Sequence, residues 1–227
     1  MRQTYSKYCQ AETTKTQVRD ITNNKYRREE TMQTQVRDVT KITITLDGLT
    51  GLMFDRYAGD NKTQLPNEAK MYFLPKTQQL CLPALNLMSF LSARNTTSIA
   101  KGLGGKQYSG LCDAMLSYVS ITPDYIPIMR DGKPIVFNGF IDGRDELAGI
   151  YIHKAVARLP KGIPNPKERP VLELPWSITF TLTLFKNSVV DETFLKTAFL
   201  QGGLSIGLGT FRGVFGKFVV AQWEHVK

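Results

Sequence analysis

The chain has 227 residues, 42% of them hydrophobic, enough to fill one sizeable core or a core with an extension. Lys and Arg number 29 against 20 acids, giving a net charge of +9, and such a surplus favours polyanionic partners such as nucleic acid. Cys9, Cys81 and Cys112 share no CxxC spacing, which argues against a disulfide framework or zinc knuckle and fits a reducing cytoplasm; no 18-residue apolar run points to a membrane span, and MRQTYSKYCQAETTK has no apolar centre for export.

Residues 1–40 are basic and poor in apolar side chains, with eight basic residues against five acids and no clear period. ETTKTQVRDIT at 12–22 returns as ETMQTQVRDVT at 30–40, a local duplication too short for a solenoid. This segment reads as an extension, either a mobile arm or a partner-binding tail.

Regular signals begin at residue 41. ITITL at 42–46 alternates strictly and predicts a half-buried strand, broken by DGLTG. After the loop-like RYAGDNKTQLPNEAK, the stretch LPALNLMSFLSARN offers a Pro near a helix start and an apolar stripe through Leu87, Met88, Phe90 and Leu91. AMLSYVSIT at 114–122 is expected to be the second strand. Residues 123–170 hold seven of the eleven prolines. There PDYIPIMRDGKPIVFNGF predicts a hairpin turning at RDGK, IYIHKAVARL another strand, and PKGIPNPKERP a linker or rigid loop. The region is expected to be an insertion at about 123–170.

WSITFTLTLF at 176–185 is the strongest strand pattern in the chain. Asp191 is placed to cap a helix through ETFLKTAFLQ, with Gly202 or Gly203 as its left-handed C-terminal residue, and FGKFVVAQWE follows as the last strand. Two strand-helix-strand halves predict an α+β fold: a ferredoxin-like, RRM-like antiparallel sheet with two helices on one face and an inserted β-rich subdomain. The division is 1–40 as extension and 41–227 as palm with insertion.

GGLSIGLGTFRGVFGKFVV at 202–220 carries six glycines. It runs from a helix into a strand, so the dinucleotide fingerprint does not fit, and neither it nor KGLGGKQ at 101–107 completes a Walker loop. Glycines serving tight turns are one reading. The other is close approach to RNA: Arg212 and Lys217 suit phosphates, and Phe211 and Phe215 offer flat faces for unstacked bases.

The helix-to-strand order, GG followed by GLGTFRGVFGKFVV, and LPALNLMSFL after an early strand and loop together resemble the RAMP superfamily. These are the repeat-associated RNA-binding subunits of CRISPR effector complexes, and the likeness is to the backbone subunits in particular. It covers roughly residues 41–122 and 171–224. The resemblance implies a palm with a C-terminal glycine-rich loop, self-association as a helical filament along a guide RNA, and contact with a target strand and other effector-complex subunits. The insertion would correspond to thumb or finger elements. Where a Pro-x-Ser-x-Leu-Lys-Gly-x-Leu-Arg pattern is usual, this chain has Pro83, Leu87, Met88, Ser89, Leu91 and Ser92, without the Lys and Arg. Asn86, Ser89 and Arg94 would then meet phosphates.

The expected RNA-binding set is Arg56, Asn86, Ser89, Arg94, Lys101, Lys106, Gly207, Gly209, Phe211, Arg212, Gly213 and Lys217. Arginine and lysine supply charge, and Gly207, Gly209 and Gly213 supply close approach. Some relatives cleave RNA with an aspartate in the loop after the first strand, where this chain has Asp55 and Asp60. The alternatives are therefore a metal-dependent endoribonuclease acting through Asp55, or a virus-encoded structural subunit. His153 and His225 lie far apart without a ligand cluster, Asp142 and Asp145 read as turn residues, and no cofactor or structural metal is expected.

Overall fold

A computed structural model describes residues 38–60, 62–158 and 164–226. The chain divides into two units, Met1–Val39 and Thr40–Lys227. The duplication and almost all of the basic extension lie outside the described residues.

The large sheet grows from the alternating segments. β1 (Val39–Gly48), β10 (Ser177–Phe185), β4 (Val119–Thr122) and β11 (Phe218–His225) pair in the order β11-β1-β10-β4. β1 runs antiparallel to β11, and β10 antiparallel to β4. Between β1 and β10, Gly48 N donates to the Trp176 carbonyl at 2.8 Å, and the Thr45 and Thr179 hydroxyls meet at 3.0 Å. This is the split βαβ arrangement of an α+β fold.

Period two decides the faces. Ile42, Ile44 and Leu46 of β1 and Ile178, Phe180 and Leu182 of β10 are buried under the helices. Thr43, Thr45, Thr179, Thr181 and Thr183 stand on the other face, intermediate or exposed. The covering helices are α1 (Ala84–Ser92) and α4 (Glu192–Ser205), with α2 (Ile99–Gly104) and α3 (Tyr108–Tyr118) packed beside α1. Phe90 of α1 lies 5.5 Å from both Phe199 of α4 and Phe218 of β11, an aromatic cluster at the centre of the core. Such pairs add about 0.5–1.5 kcal/mol each beyond the area they bury.

Five expectations change. Residues 114–118 are helical, because Cys112, Ala114 and Met115 bury on one face of α3, and the strand starts only at Val119. α4 begins as expected, with the Asp191 carboxylate accepting from Phe194 N at 2.7 Å. It does not stop at Gly202 or Gly203, however, but runs on to Ser205. A Cβ on Gly203 would lie 2.5 Å from the Phe218 carbonyl, so these glycines serve close helix-strand packing, and the left-handed residue is Gly207 (φ 80°).

Third, the stretch expected as one insertion divides. β5 (Tyr125–Arg130) joins the large sheet through β10 and through β3 (Cys81–Pro83), and turns at Asp131 (φ 50°) and Gly132 (φ 75°) into β6 (Lys133–Pro134). That is the two-residue turn that RDGK predicts. A second sheet, ordered β2-β9-β8-β7, holds β2 (Leu52–Met53), β7 (Arg144–Asp145), β8 (Ile150–Arg158) and β9 (Pro164–Leu172).

Fourth, the Pro-rich segment from 164 onward is strand β9 rather than linker or loop, paired with β8 in continuous register from Ile150↔Leu172 to Arg158↔Pro164. Proline is tolerated because the even-numbered peptide groups face away from β8: the Pro170 carbonyl accepts from Phe54 N at 3.0 Å and that of Glu168 from Lys70 Nζ at 2.6 Å. Asp145, expected in a turn, is a buried carboxylate that accepts from Asn138 N at 2.7 Å and Ala148 N at 3.0 Å. Asp142 does sit in a turn, at φ 50°.

Cys81 and Cys112 are free and buried, and burial pushes the Cys81 thiol up to about 11. Thiolate is the reacting species. Cys81 is therefore expected to resist iodoacetamide at pH 8 until the protein unfolds, as read by peptide mass spectrometry; labelling of the native protein at the rate of a free thiol would contradict its burial. Because the folded thiol holds its proton more tightly than the unfolded one at 9.0, this contribution to stability is whole below pH 9 and is lost as pH rises toward 11. Among the described residues no helix is long and apolar enough to cross a membrane.

Candidate nucleic-acid interface

The glycine-rich segment between α4 and β11 is folded by its own backbone. Leu208 N donates to the Gly216 carbonyl at 2.8 Å, Gly213 N to Ile206 at 2.6 Å, and Gly216 N to Gly51 at 2.8 Å. Gly207, Gly209, Gly213 and Gly216 all take positive φ, between 73° and 91°. A Cβ on Gly207 would lie 2.8 Å from the Gly216 carbonyl carbon, and one on Gly209 2.5 Å from the Met53 carbonyl. At both positions the close approach is made to the protein's own backbone. Gly213 is different: nothing lies within 4 Å of its missing side chain, so it borders open space.

Two polar residues of α1, one turn apart, hold this loop. Asn86 Oδ1 accepts from Gly209 N at 2.9 Å, and Ser89 Oγ accepts from Arg212 Nη2 at 2.8 Å. Arg212 Nη1 also reaches the Thr97 carbonyl at 3.3 Å, and burial lowers the pKa of this guanidinium. Four of the twelve expected residues, Asn86, Ser89, Gly209 and Arg212, are thus joined by direct hydrogen bonds. Asn86 and Ser89 use acceptor atoms on the loop.

Above this clamp the loop presents Phe211, 56% exposed, and Val214, 55% exposed. Phe215 packs between Phe211, 6.1 Å away, and the edge-on ring of His153 on β8 at 5.4 Å. His153 therefore joins the loop to the β8-β9 hairpin, a role its sequence context did not signal. Lys217 is anchored by its backbone, N donating to Thr50 Oγ1 at 3.0 Å and O accepting from Leu49 N at 2.7 Å.

The remaining expected cations are spread over neighbouring elements. Arg94 pairs with Asp113 of α3, and Lys101 Nζ sits 5.9 Å from the Tyr108 ring. Lys106 is exposed on the 3-10 turn between α2 and α3. Arg56 lies 5.9 Å from the Tyr72 ring, and burial raises the pKa of that phenol. Arg56, Tyr72, Asn86, Ser89 and Tyr125 line one groove of about 940 Å³. Tyr72 and Tyr125 belong to no periodic pattern in the sequence, and only the fold brings them to α1.

Asp55, the candidate catalytic carboxylate, accepts from Arg169 Nε of β9 at 2.6 Å. Asp60 caps its own turn, accepting from Lys62 N and Thr63 N at 2.6 Å and from Thr63 Oγ1 at 2.7 Å, and these bonds hold its pKa below the usual carboxylate value. Among the described residues no three His, Cys, Asp or Glu are grouped to hold a metal ion. His225 of β11 meets Glu192 at 3.2 Å, in the large sheet, whereas His153 belongs to β8 of the second.

No family model and no curated protein matches the chain. Among solved structures it is similar to a chain in the cryo-EM structure of the Type III-B Cmr-beta bound to cognate target RNA. That match has 12% sequence identity and a TM-score of 0.53, and covers 91% of this chain and 67% of the other. At that identity the likeness establishes a shared α+β fold.

Proposed function

We propose that this chain is a non-catalytic, sequence-independent RNA-binding subunit of a CRISPR-type ribonucleoprotein effector, a RAMP-like palm whose copies associate along a guide RNA. The observation that carries the reading is the loop at 206–217. Its backbone is immobilised against α1 and β2, and its outer side offers Phe211, Gly213 and Val214 with the Arg212 and Lys217 cations alongside. A rigid, glycine-opened edge with cations suits a phosphate backbone, and the net charge of +9 suits the same partner. The shared fold with a chain from an RNA-bound assembly supports it. The Asp55–Arg169 pair and the Asp60 turn give these carboxylates structural employment, which favours binding over cleavage.

The test is titration of a fluorescent mixed-sequence single-stranded RNA with the full chain across a range of salt. Binding at low salt should be tight and indifferent to sequence. Lys217→Ala should lower the slope of log K against log salt by about 0.7, the value for one single-strand phosphate contact. No binding at low salt, or affinity that changes sharply between unrelated sequences, overturns the reading.

A further inference from the structure

Phe211 occupies the left-handed region at φ 51°, which residues with side chains adopt at a cost and keep only where their surroundings over-determine it. The surroundings do so here. Thr210 N donates to the Met53 carbonyl at 3.0 Å on one side, and Gly213 N to Ile206 at 2.6 Å on the other. The loop places glycine at its four other left-handed positions, 207, 209, 213 and 216, so glycine would suit position 211 equally well. Nor does burial offset the strain, because the ring is 56% exposed, with Phe215 against it at 6.1 Å. A bulky ring held in costly geometry and turned outward, with a cation as its sequence neighbour, calls for a ligand with a flat face.

We infer that Phe211 is a stacking platform for an unstacked nucleobase of single-stranded RNA, backed by Phe215 and His153. The inference rests on the RNA-binding reading and adds to it, since that reading requires phosphate contacts alone. Stacking is compatible with sequence indifference, because every base has a π face. Arg212, the next residue, is hydrogen-bonded to Ser89 and the Thr97 carbonyl, and its charge would meet the phosphate of the stacked nucleotide.

The experiment compares the full-length wild type with Phe211→Gly and Phe211→Trp on two strands of equal length, a mixed-sequence RNA and an abasic ribose-phosphate strand. On the RNA, Phe211→Gly should bind about tenfold more weakly than wild type, the loss of one stacked base, while Phe211→Trp binds as well or better. On the abasic strand all three proteins should bind alike. The melting temperature of Phe211→Gly should stay level or rise by about 2–4 °C, because glycine tolerates the left-handed backbone. Undiminished RNA binding by Phe211→Gly overturns the inference while leaving the RNA reading intact. So does equal weakening on both strands with a fallen melting temperature, which would make the ring a structural support. Wild type that binds neither strand at low salt overturns the RNA reading and this inference together.

Discussion

Gly209→Ala is expected to be among the most damaging single-methyl changes in this protein. The left-handed φ of 75° costs a side-chain-bearing residue about 1–2 kcal/mol. The new Cβ would also sit 2.5 Å from the Met53 carbonyl, against a β2 backbone that cannot yield without moving the second sheet, and overpacking of this kind costs about 1–3 kcal/mol. Together the loss is roughly 3 kcal/mol, and at about 2–4 °C per kcal/mol for a unit of this size the melting temperature should fall by roughly 6–12 °C. Gly213→Ala is the control. Its φ is 91°, but its missing side chain faces open space, so it should lose only about 1 kcal/mol. Calorimetry giving equal shifts for the two variants would mean that the loop does not pack on β2 as described.

Arg130→Met should have a comparable effect by a different route. The Arg130 guanidinium donates to the carbonyls of Pro175 at 3.0 Å, Ala148 at 2.8 Å and Glu173 at 3.0 Å. It ties the end of β5 in the large sheet to both margins of the segment that carries β8 and β9. Methionine fills similar volume and leaves three carbonyls unpaired, a loss of about 2–4 kcal/mol after allowance for the water that reaches this half-exposed site. Lysine should recover only part of it, because one ammonium cannot span the three acceptors that a planar guanidinium does. Urea melts showing less than about 0.5 kcal/mol for Arg130→Met would reduce the contact to an ordinary surface interaction.

The roles of Gly209 and Arg130 are not equally visible in the sequence. Glycines in the 202–220 stretch announce unusual backbone geometry, and the context before a strand and after a helix is legible. What they do not announce is the partner. Their spacing alone would let Gly207 and Gly209 admit another chain, whereas the fold closes the loop on Gly216, Gly51 and Met53. Arg130 stands in RDGK as one more turn-flanking cation, and nothing in its neighbourhood foretells three carbonyls contributed by residues 148–175.

Segments at 114–118, 164–170 and 202–205 take their structure from tertiary contacts in the same way. AMLSYVSIT holds both a helical and an alternating pattern, and α3 wins up to Tyr118 because Cys112 and Met115 bury beside α1. Prolines at 164–170 argue against an interior strand, and β9 escapes that rule by turning its proline nitrogens away from β8. Helix α4 passes through two glycines because the bulk of Phe90 and Phe218 leaves room for nothing larger.

Local periodicity and capping chemistry act over a few residues, so the sequence by itself determined the strands at 42–46 and 177–185, the Asp191 cap, the RDGK turn and the α+β class. Contacts between residues more than sixty positions apart decided the rest: Asn86 on Gly209, Ser89 on Arg212, Arg169 on Asp55, His153 on Phe215. Such pairs leave no period in the chain, because each is set by which sheet edges and helix faces come to lie together once the core is buried.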